Sequence, residues 1–370
     1  MIGIGSIENQ DAVDDARRGR QGRVLITGGA GFVGSNLAAH FAAQGRQVVV
    51  FDNLSRPGVT RNLEWLRDRF GRGLLFVRGD VRDADAVARA VASCDQVFHL
   101  AAQVAVTTGL ADPRADFDIN LGGTLNVLEA VRAQAQPPGV VFTSTNKVYG
   151  NLAGLSVQAL ERRYRPLDDD VAETGVDEWQ ALDFCSPYGC SKGGADQYVL
   201  DYARSFGVPA VVFRMSCIYG PRQFGTEDQG WVAHFLLSAR AGEPLTIYGD
   251  GKQVRDVLFV DDLVAAFAAA ERHIEALAGR AFNIGGGSDN TLSLLELLSI
   301  IDEFGDRAEI NYADWRTGDQ PYYVSNTRAF GRATGWRPAV APRQGIERLY
   351  AWLDDVGAPA SAESGARAAP

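Results

Sequence analysis

Val24-Leu25-Ile26-Thr27-Gly28-Gly29-Ala30-Gly31-Phe32-Val33-Gly34 is the stretch that decides the fold. A short apolar run enters a glycine turn. Val33, Leu37 and Phe41 then recur at helical spacing, and Gly45 stands where such a helix ends. A turn of this kind lets the backbone approach a pyrophosphate. The helix N-terminus behind it offers N–H groups and the positive end of its dipole. The spacing here is Gly-x-x-Gly-x-x-Gly, not the Gly-x-Gly-x-x-Gly fingerprint. A tight strand–helix turn with no ligand is the alternative at this point.

Outward from this turn the same rhythm repeats. Nearly unbroken apolar runs stand at Val48–Phe51, Leu74–Val77, Val97–Leu100, Val140–Phe142 and Ala210–Phe213, separated by helical patterns. Runs without polar alternation suit strands covered on both faces, as in parallel sheets. Strand–helix alternation implies right-handed βαβ crossovers. The expected fold class is α/β, a doubly wound parallel sheet over residues 21–214. A second, smaller α/β domain is expected over 215–355, where helices and glycine joints dominate, with part of 256–284 returning to the first domain. Ser293 and Glu296 fit a capping box that opens a helix over 294–304. Residues 1–20 and 356–370 read as a disordered leader and tail.

Asp52 ends the second apolar run. A carboxylate there can accept hydrogen bonds from the adenosine ribose hydroxyls and would repel a 2′-phosphate, which favours NAD over NADP. Arg56 stands close enough to keep NADP open.

Ser186-Pro187 suits a helix start, with Ser186 as N-cap and Pro187 in the first turn. Tyr188 and Lys192 are then i and i+4 on one face. An ammonium beside a phenol favours phenolate and is expected to lower its pKa toward neutrality. Such a phenolate can take a proton from a hydroxyl as hydride leaves the same carbon. Thr145, just beyond the strand run at 140–142, sits where ligands bind in open parallel sheets, and its hydroxyl can orient the reacting oxygen. The bland alternatives are a surface helix pair and a strand-end threonine.

A formal net charge of −10 argues against broad binding of nucleic acid. The four cysteines (Cys94, Cys185, Cys190, Cys217) form no Cys-x-x-Cys pair and the four histidines are scattered, so no metal site is expected. No apolar run approaches the length of a membrane helix, and no signal-peptide core precedes residue 20, so no membrane role and a cytoplasmic location are expected.

The chain resembles the extended short-chain dehydrogenase/reductase family of nucleotide-sugar epimerases and dehydratases over roughly residues 22–355. The resemblance rests on Thr27–Gly34, Asp52-Asn53, Gly79-Asp80-Val81, His99-Leu100-Ala101-Ala102, Ser144-Thr145, Tyr188 with Lys192, Tyr219-Gly220-Pro221-Arg222, Arg255-Asp256 and Asn283-Ile284-Gly285-Gly286. It implies a Rossmann domain holding NAD through Gly28, Gly31, Phe32, Val33, Gly34, Asp52, Asn53, Asp80, Val81, Leu100, Ala101 and Ala102, with Tyr188 and Lys192. It implies a catalytic set of Thr145, Tyr188 and Lys192. It also implies substrate contacts at Gln103, Thr107, Thr145, Asn146, Arg222, Gln229 and Arg255, the arginines near the phosphates. Members that epimerise CDP-hexoses at C2 look similar over 103–108, 144–150, 186–193, 228–231 and 251–258. A CDP-hexose, probed from both faces at C2, is therefore the expected substrate, and a homo-oligomer (dimer or tetramer) the expected assembly.

UDP-hexose 4-epimerisation uses the same groups on another carbon and stays open, as does a dinucleotide sensor that only kept the fold. Dehydratases of the family carry Asp-Glu after the Ser/Thr, because water elimination needs an acid and a base. Here Asn146-Lys147 follows Thr145. The long stretch 151–184 reads as a lid or binding loop, with Tyr164 and Arg165 as candidate substrate contacts.

Overall fold

The computed structural model describes residues 22–316 and 318–356. The expected leader and the expected tail beyond 356 lie outside the described residues. Its main sheet contains β1 (Val24–Thr27), β2 (Val48–Asp52), β3 (Leu74–Arg78), β4 (Gln96–His99), β5 (Gly139–Thr145), β6 (Ala210–Met215) and β7 (Ala281–Ile284). They run in the order β7-β6-β5-β4-β1-β2-β3, every pairing parallel. The chain leaves β1 toward β2 and β3, then returns across β1 to β4. That reversal opens a crevice at the carboxyl ends of β1 and β4.

The unbroken apolar runs follow from having a core on each face. Val24, Ile26, Val48 and Val50 enter one core with Leu37, Phe41, Leu63 and Phe267. Leu25, Val49 and Phe51 enter the other with Val87, Val127, Val131 and Val199. Successive strand residues point to opposite faces, so both parities must be apolar. The edge strand β3 departs from this: Leu75 is 53% exposed. β7 is no apolar run, since Asn283 interrupts it. That carboxamide is buried and satisfied, donating to the Val176 carbonyl at 2.9 Å and accepting from Tyr149 Oη at 2.7 Å.

Two helices carry the site. α1 (Phe32–Ala43) follows the glycine turn, and Gly45 after it has φ 79°. α2 (Ser186–Phe206) ends at Gly207 in the left-handed region. Ser186 Oγ accepts the Gly189 N–H at 3.2 Å, the bond expected of a capping serine, although Ser186 itself already begins the helix. Asp196 on α2 meets Arg214 on β6 in a bidentate pair, both bonds 2.9 Å and the side chains 0% and 5% exposed.

Past β6 the chain builds a second layer around the strand Val254–Phe259. It pairs with Cys217–Tyr219 and Tyr322–Tyr323 in parallel and with Thr291–Ser293 antiparallel. Helices Trp231–Ala241, Leu294–Glu303 and Pro342–Val356 contribute Leu236, Leu297 and Leu349 to its core. The capping box of Ser293 and Glu296 is present. The segment 260–284 crosses back: Leu263 and Phe267 join the main-sheet core and Ala281–Ile284 pairs with β6.

The stretch 151–184 is more ordered than a lid. It forms a hairpin, Val157–Ala159 with Tyr164–Pro166, and a short helix Asp169–Thr174. Tyr164 Oη donates to Asp250 at 2.7 Å, and Arg165 binds Asp169 at 2.8 Å. Neither lines the cleft described below, so the expected substrate contacts are replaced by structural ones.

Replacing Asp196 by Ala leaves the Arg214 guanidinium buried without its counter-charge. Urea denaturation should show a loss of about 3–5 kcal/mol; a loss below about 1 kcal/mol would mean the pair is solvated like a surface bridge.

Candidate active site

The glycine turn is shaped by close backbone approach. Gly28 has φ 67°, and a Cβ there would lie 2.9 Å from the Ala101 nitrogen. A Cβ on Gly34 would lie 2.2 Å from the Gly28 carbonyl oxygen. Both positions therefore require glycine. The Gly31 N–H donates to the Gly28 carbonyl at 3.0 Å, and no side chain caps α1. The N–H groups that open α1 are thus available to an anion, and the loop fits a dinucleotide diphosphate.

Asp52 supports this loop from beneath. One carboxylate oxygen accepts the Ala30 N–H at 3.1 Å and the other the Leu54 N–H at 2.8 Å. Burial raises its pKa against those two bonds. Asn53 donates to Asp80 at 2.9 Å, and Arg82 grips the same carboxylate at 2.9 and 2.8 Å. The guanidinium holds Asp80 well below the usual carboxylate range. Val81 is buried, and its carbonyl accepts from Asn126 at 2.9 Å. Arg56 donates to Gln229 Oε1.

At the crevice, Thr27 Oγ1 accepts the N–H groups of Leu100 and Ala101, each at 3.2 Å. It also lies 2.7 Å from His99 Nδ1, while His99 Nε2 lies 3.0 Å from Thr124 Oγ1. Thr124 donates its own hydroxyl to the Asn120 carbonyl at 2.5 Å. Its oxygen must therefore accept from Nε2–H, leaving Nδ1 to accept from Thr27. Burial, with Lys192 nearby, pushes His99 down to about 3, so the ring is neutral. Ala102 follows in the loop after β4 and is half-buried.

Tyr188, Lys192 and Thr145 come together, all at least nine-tenths buried. Thr145 hydrogen-bonds to Tyr188, and its Oγ1 accepts the Lys147 N–H at 3.2 Å. The expected depression of the Tyr188 pKa is not what the structure shows. Burial pushes the phenol up to about 12, helped by Asp116 and opposed by Thr145 and Arg56. Lys192 does not offset this, because its ammonium donates to the Thr143 carbonyl at 2.6 Å and lies 4.3 Å from the Phe142 ring centre. Burial also brings Lys192 down to about 7, with Asp196 and Asp116 opposing.

Tyr188 and Thr145 open on a cleft of about 790 Å³ between the two layers. Phe32 and Val33 of the glycine turn line it, as do the expected Thr107, Asn146, Gln229 and Arg255. Two expected contacts do not. Gln103 is taken by Asp116 at 2.5 Å and by the Ala105 backbone. Arg222 stands with φ 74° and lays its guanidinium 4.0 Å over Trp65, away from the cleft lining.

Several lining groups were not singled out from sequence. Arg316 lies 3.7 Å over the Tyr248 ring and pairs with Glu227 and Asp228. Arg255 pairs with Asp319 at 2.8 Å. Lys147, Trp231 and Phe235 complete this wall. Behind Tyr188, the buried Asp116 accepts from Ser191 and Asn120, the latter within an irregular turn Asp118–Gly122. Asn120 bonds Gln103 in turn. No short pattern in the sequence marks these partners, which meet only through the fold. Among the described residues no cluster of His, Cys, Asp and Glu could hold a metal.

The model of the NAD dependent epimerase/dehydratase family matches residues 24–285. The chain is 45% identical to the CDP-paratose 2-epimerase of Salmonella typhi, over 90% of this chain and 100% of that one. It is 32% identical to a dTDP-glucose 4,6-dehydratase of Escherichia coli strain K12, over 89% of this chain and 92% of that one. Among solved structures it is similar to the UDP-glucuronic acid 4-epimerase of Bacillus cereus, solved with UDP-glucuronic acid and NAD: TM-score 0.77, 26% identity, 90% of this chain and 100% of that one. The Thermus thermophilus UDP-glucose 4-epimerase, solved with NAD, gives TM-score 0.74 and 32% identity over 90% and 99% of the two chains. With a glycine turn built for a diphosphate, a Thr–Tyr–Lys set beside it, and a match that spans the whole main sheet, the chain belongs to the NAD dependent epimerase/dehydratase family.

Proposed function

We propose that this chain is an NAD-dependent epimerase of a nucleotide-activated hexose, and that it inverts C2 of CDP-paratose to CDP-tyvelose through a 2-keto sugar. The observation that carries the reading is the meeting of Tyr188 and Thr145 on one wall of the cleft, beside Phe32 and Val33 of the glycine turn. The choice of base, sugar and carbon is supported by the 45% identity to the Salmonella CDP-paratose 2-epimerase.

Bound NAD supplies a hydride acceptor and, on the return, a hydride donor. The residues of the chain do the rest. Tyr188 takes the proton of the C2 hydroxyl as that carbon is oxidised, and Thr145 orients the oxygen. Thr145 and Arg56 both favour the phenolate against the burial that opposes it. Lys192, anchored on Thr143, holds the cofactor ribose side of the site. The 2-keto sugar turns in the cleft, is reduced on its other face, and receives its proton back from Tyr188. Arg255 and Arg316 suit the substrate diphosphate, and Trp231, Phe235 and Tyr248 suit its base. Dehydration is disfavoured, because Asn146-Lys147 offers no carboxylic acid beside Thr145.

In this reading 21–214 with 260–284 hold the dinucleotide, and 215–259 with 285–355 hold the sugar nucleotide. The protein works in the cytosol as a homo-oligomer. Four free cysteines suit a reducing compartment, and no helix among the described residues is long and apolar enough to cross a membrane. Tyr198 and Phe206 on α2 and Phe117 nearby expose 46%, 51% and 48% of their surface, an apolar face for a second copy.

Purified protein should convert CDP-paratose to its C2 epimer without added NAD, read by NMR. Inertness toward CDP-sugars with C4 inversion of a UDP-hexose would replace this reading by the 4-epimerase one. Tyr188→Phe should lower kcat by about 10²-fold or more while NAD stays bound; unchanged turnover would remove Tyr188 as the base. Light scattering should give a mass of at least two chains, and a monomer at micromolar concentration would refute the assembly.

A further inference from the structure

Lys147 is a half-buried cation that the mechanism above leaves unused. It belongs to the turn Asn146–Tyr149 directly after β5 and lines the same cleft as Thr145, Asn146 and Tyr188. Its backbone N–H donates to Thr145 Oγ1 at 3.2 Å, so one turn sets both side chains. Its Nζ donates to the Gly318 carbonyl at 3.2 Å, its one hydrogen-bond partner among the described residues. Asp319, the nearest acid on that loop, is engaged by Arg255 at 2.8 Å. Beside it lies a cavity of about 10 Å³, bordered by Val106, Gly150, Cys185 and Ser186, with space for a single water. An ammonium has three N–H donors. One bonds the Gly318 carbonyl, and the side chain borders both the small cavity and the cleft.

A half-buried ammonium without a paired carboxylate is partly desolvated and calls for a polar ligand. The proposed reaction provides one. Between the two hydride transfers the 2-keto sugar must leave one pose and enter another while only its nucleotide is firmly held. Tyr188 and Thr145 are short, fixed groups that grip a single oxygen. A point charge on a four-carbon stem can follow an oxygen through both poses.

We propose that Lys147 is a positioning residue that donates to a sugar oxygen on the side away from Tyr188, and so retains the 2-keto sugar while it turns. This rests on the epimerase reading above. Its charge state supports the role. Burial and Arg255 bring Lys147 down to about 8, with Asp319, Cys217 and Cys185 opposing. The donor is therefore charged below about pH 8 and lost above it, so epimerisation should decline on the alkaline side.

The test compares wild type, Lys147→Met and Lys147→Arg with CDP-paratose, the protein-free filtrate then being reduced with borodeuteride to trap any keto sugar set free, which leaves its hydride on the bound cofactor. The Met variant should keep NAD and bind CDP, turn over about tenfold or more slowly, and release 2-keto sugar seen as deuterium at C2 by mass spectrometry. The Arg variant should recover most of kcat and lose the alkaline decline, because its charge does not titrate. Lys147→Gln replaces the Met variant if that one does not fold. A Met or Gln variant that epimerises at the wild-type rate, or slows without releasing keto sugar, overturns the proposal. So does an Arg variant with an unchanged alkaline limb. If wild type is inert to CDP-paratose, the substrate reading has failed instead, and the same comparison is run with the nucleotide sugar that wild type does epimerise.

Discussion

The site depends on how firmly α2 is fixed against the sheet. The buried Asp196–Arg214 pair bolts its third turn to β6, and Lys192 bonds the backbone of β5. Two unpaired charges there would cost several kcal/mol each, so the bidentate geometry admits one rotation of the helix. That rotation turns Tyr188 toward Thr145 and the crevice. Arg214 also reaches Tyr149 at 3.2 Å, and Tyr149 reaches Asn283, so the same network ties β7 and the stretch 151–184 to α2.

Burial sets the electrostatics that follow. It raises the Tyr188 phenol, lowers the Lys192 ammonium and leaves His99 neutral. Burial thus disfavours the charged form of all three. His99 serves structure: through Thr27 and Thr124 it locks the ends of β1 and β4, where the crevice opens. Asp116 acts from behind, joining α2 to the segment of Asn120 and Gln103 through hydrogen bonds.

The cleft is made by the second layer as much as by the sheet. Gln229 is drawn to Arg56 from the first layer, and Arg316 crosses to Glu227 and Asp228. Exposed pairs of this kind contribute little stability but hold loops in register. The wall that results carries Arg255 and Arg316 together with Trp231, Phe235 and Tyr248.

Much of this was legible along the chain. Apolar runs of both parities announced a sheet covered on two faces, and Val33, Leu37 and Phe41 announced α1. Gly28 and Gly34 marked the close approach of turn and helix, and Ser293 with Glu296 marked a helix start. These are local signals, set by dihedral preference and by the 2.0 and 3.6 residue periods. The spacing of Tyr188 and Lys192 also placed them on one face, but not their charge state, since burial is a property of the packed whole. Tertiary structure alone turned Arg222 onto Trp65, gave Gln103 to Asp116, folded Tyr164 onto Asp250, and brought Arg316 and Lys147 to the cleft. Those side chains follow loops, and the direction of a long side chain beyond a loop is decided by partners distant in sequence. The residue types and their periods thus determined the sheet, the glycine turn and the placing of Tyr188 and Lys192 on one helix face. Which charges line the cleft was decided only when the two layers closed on each other.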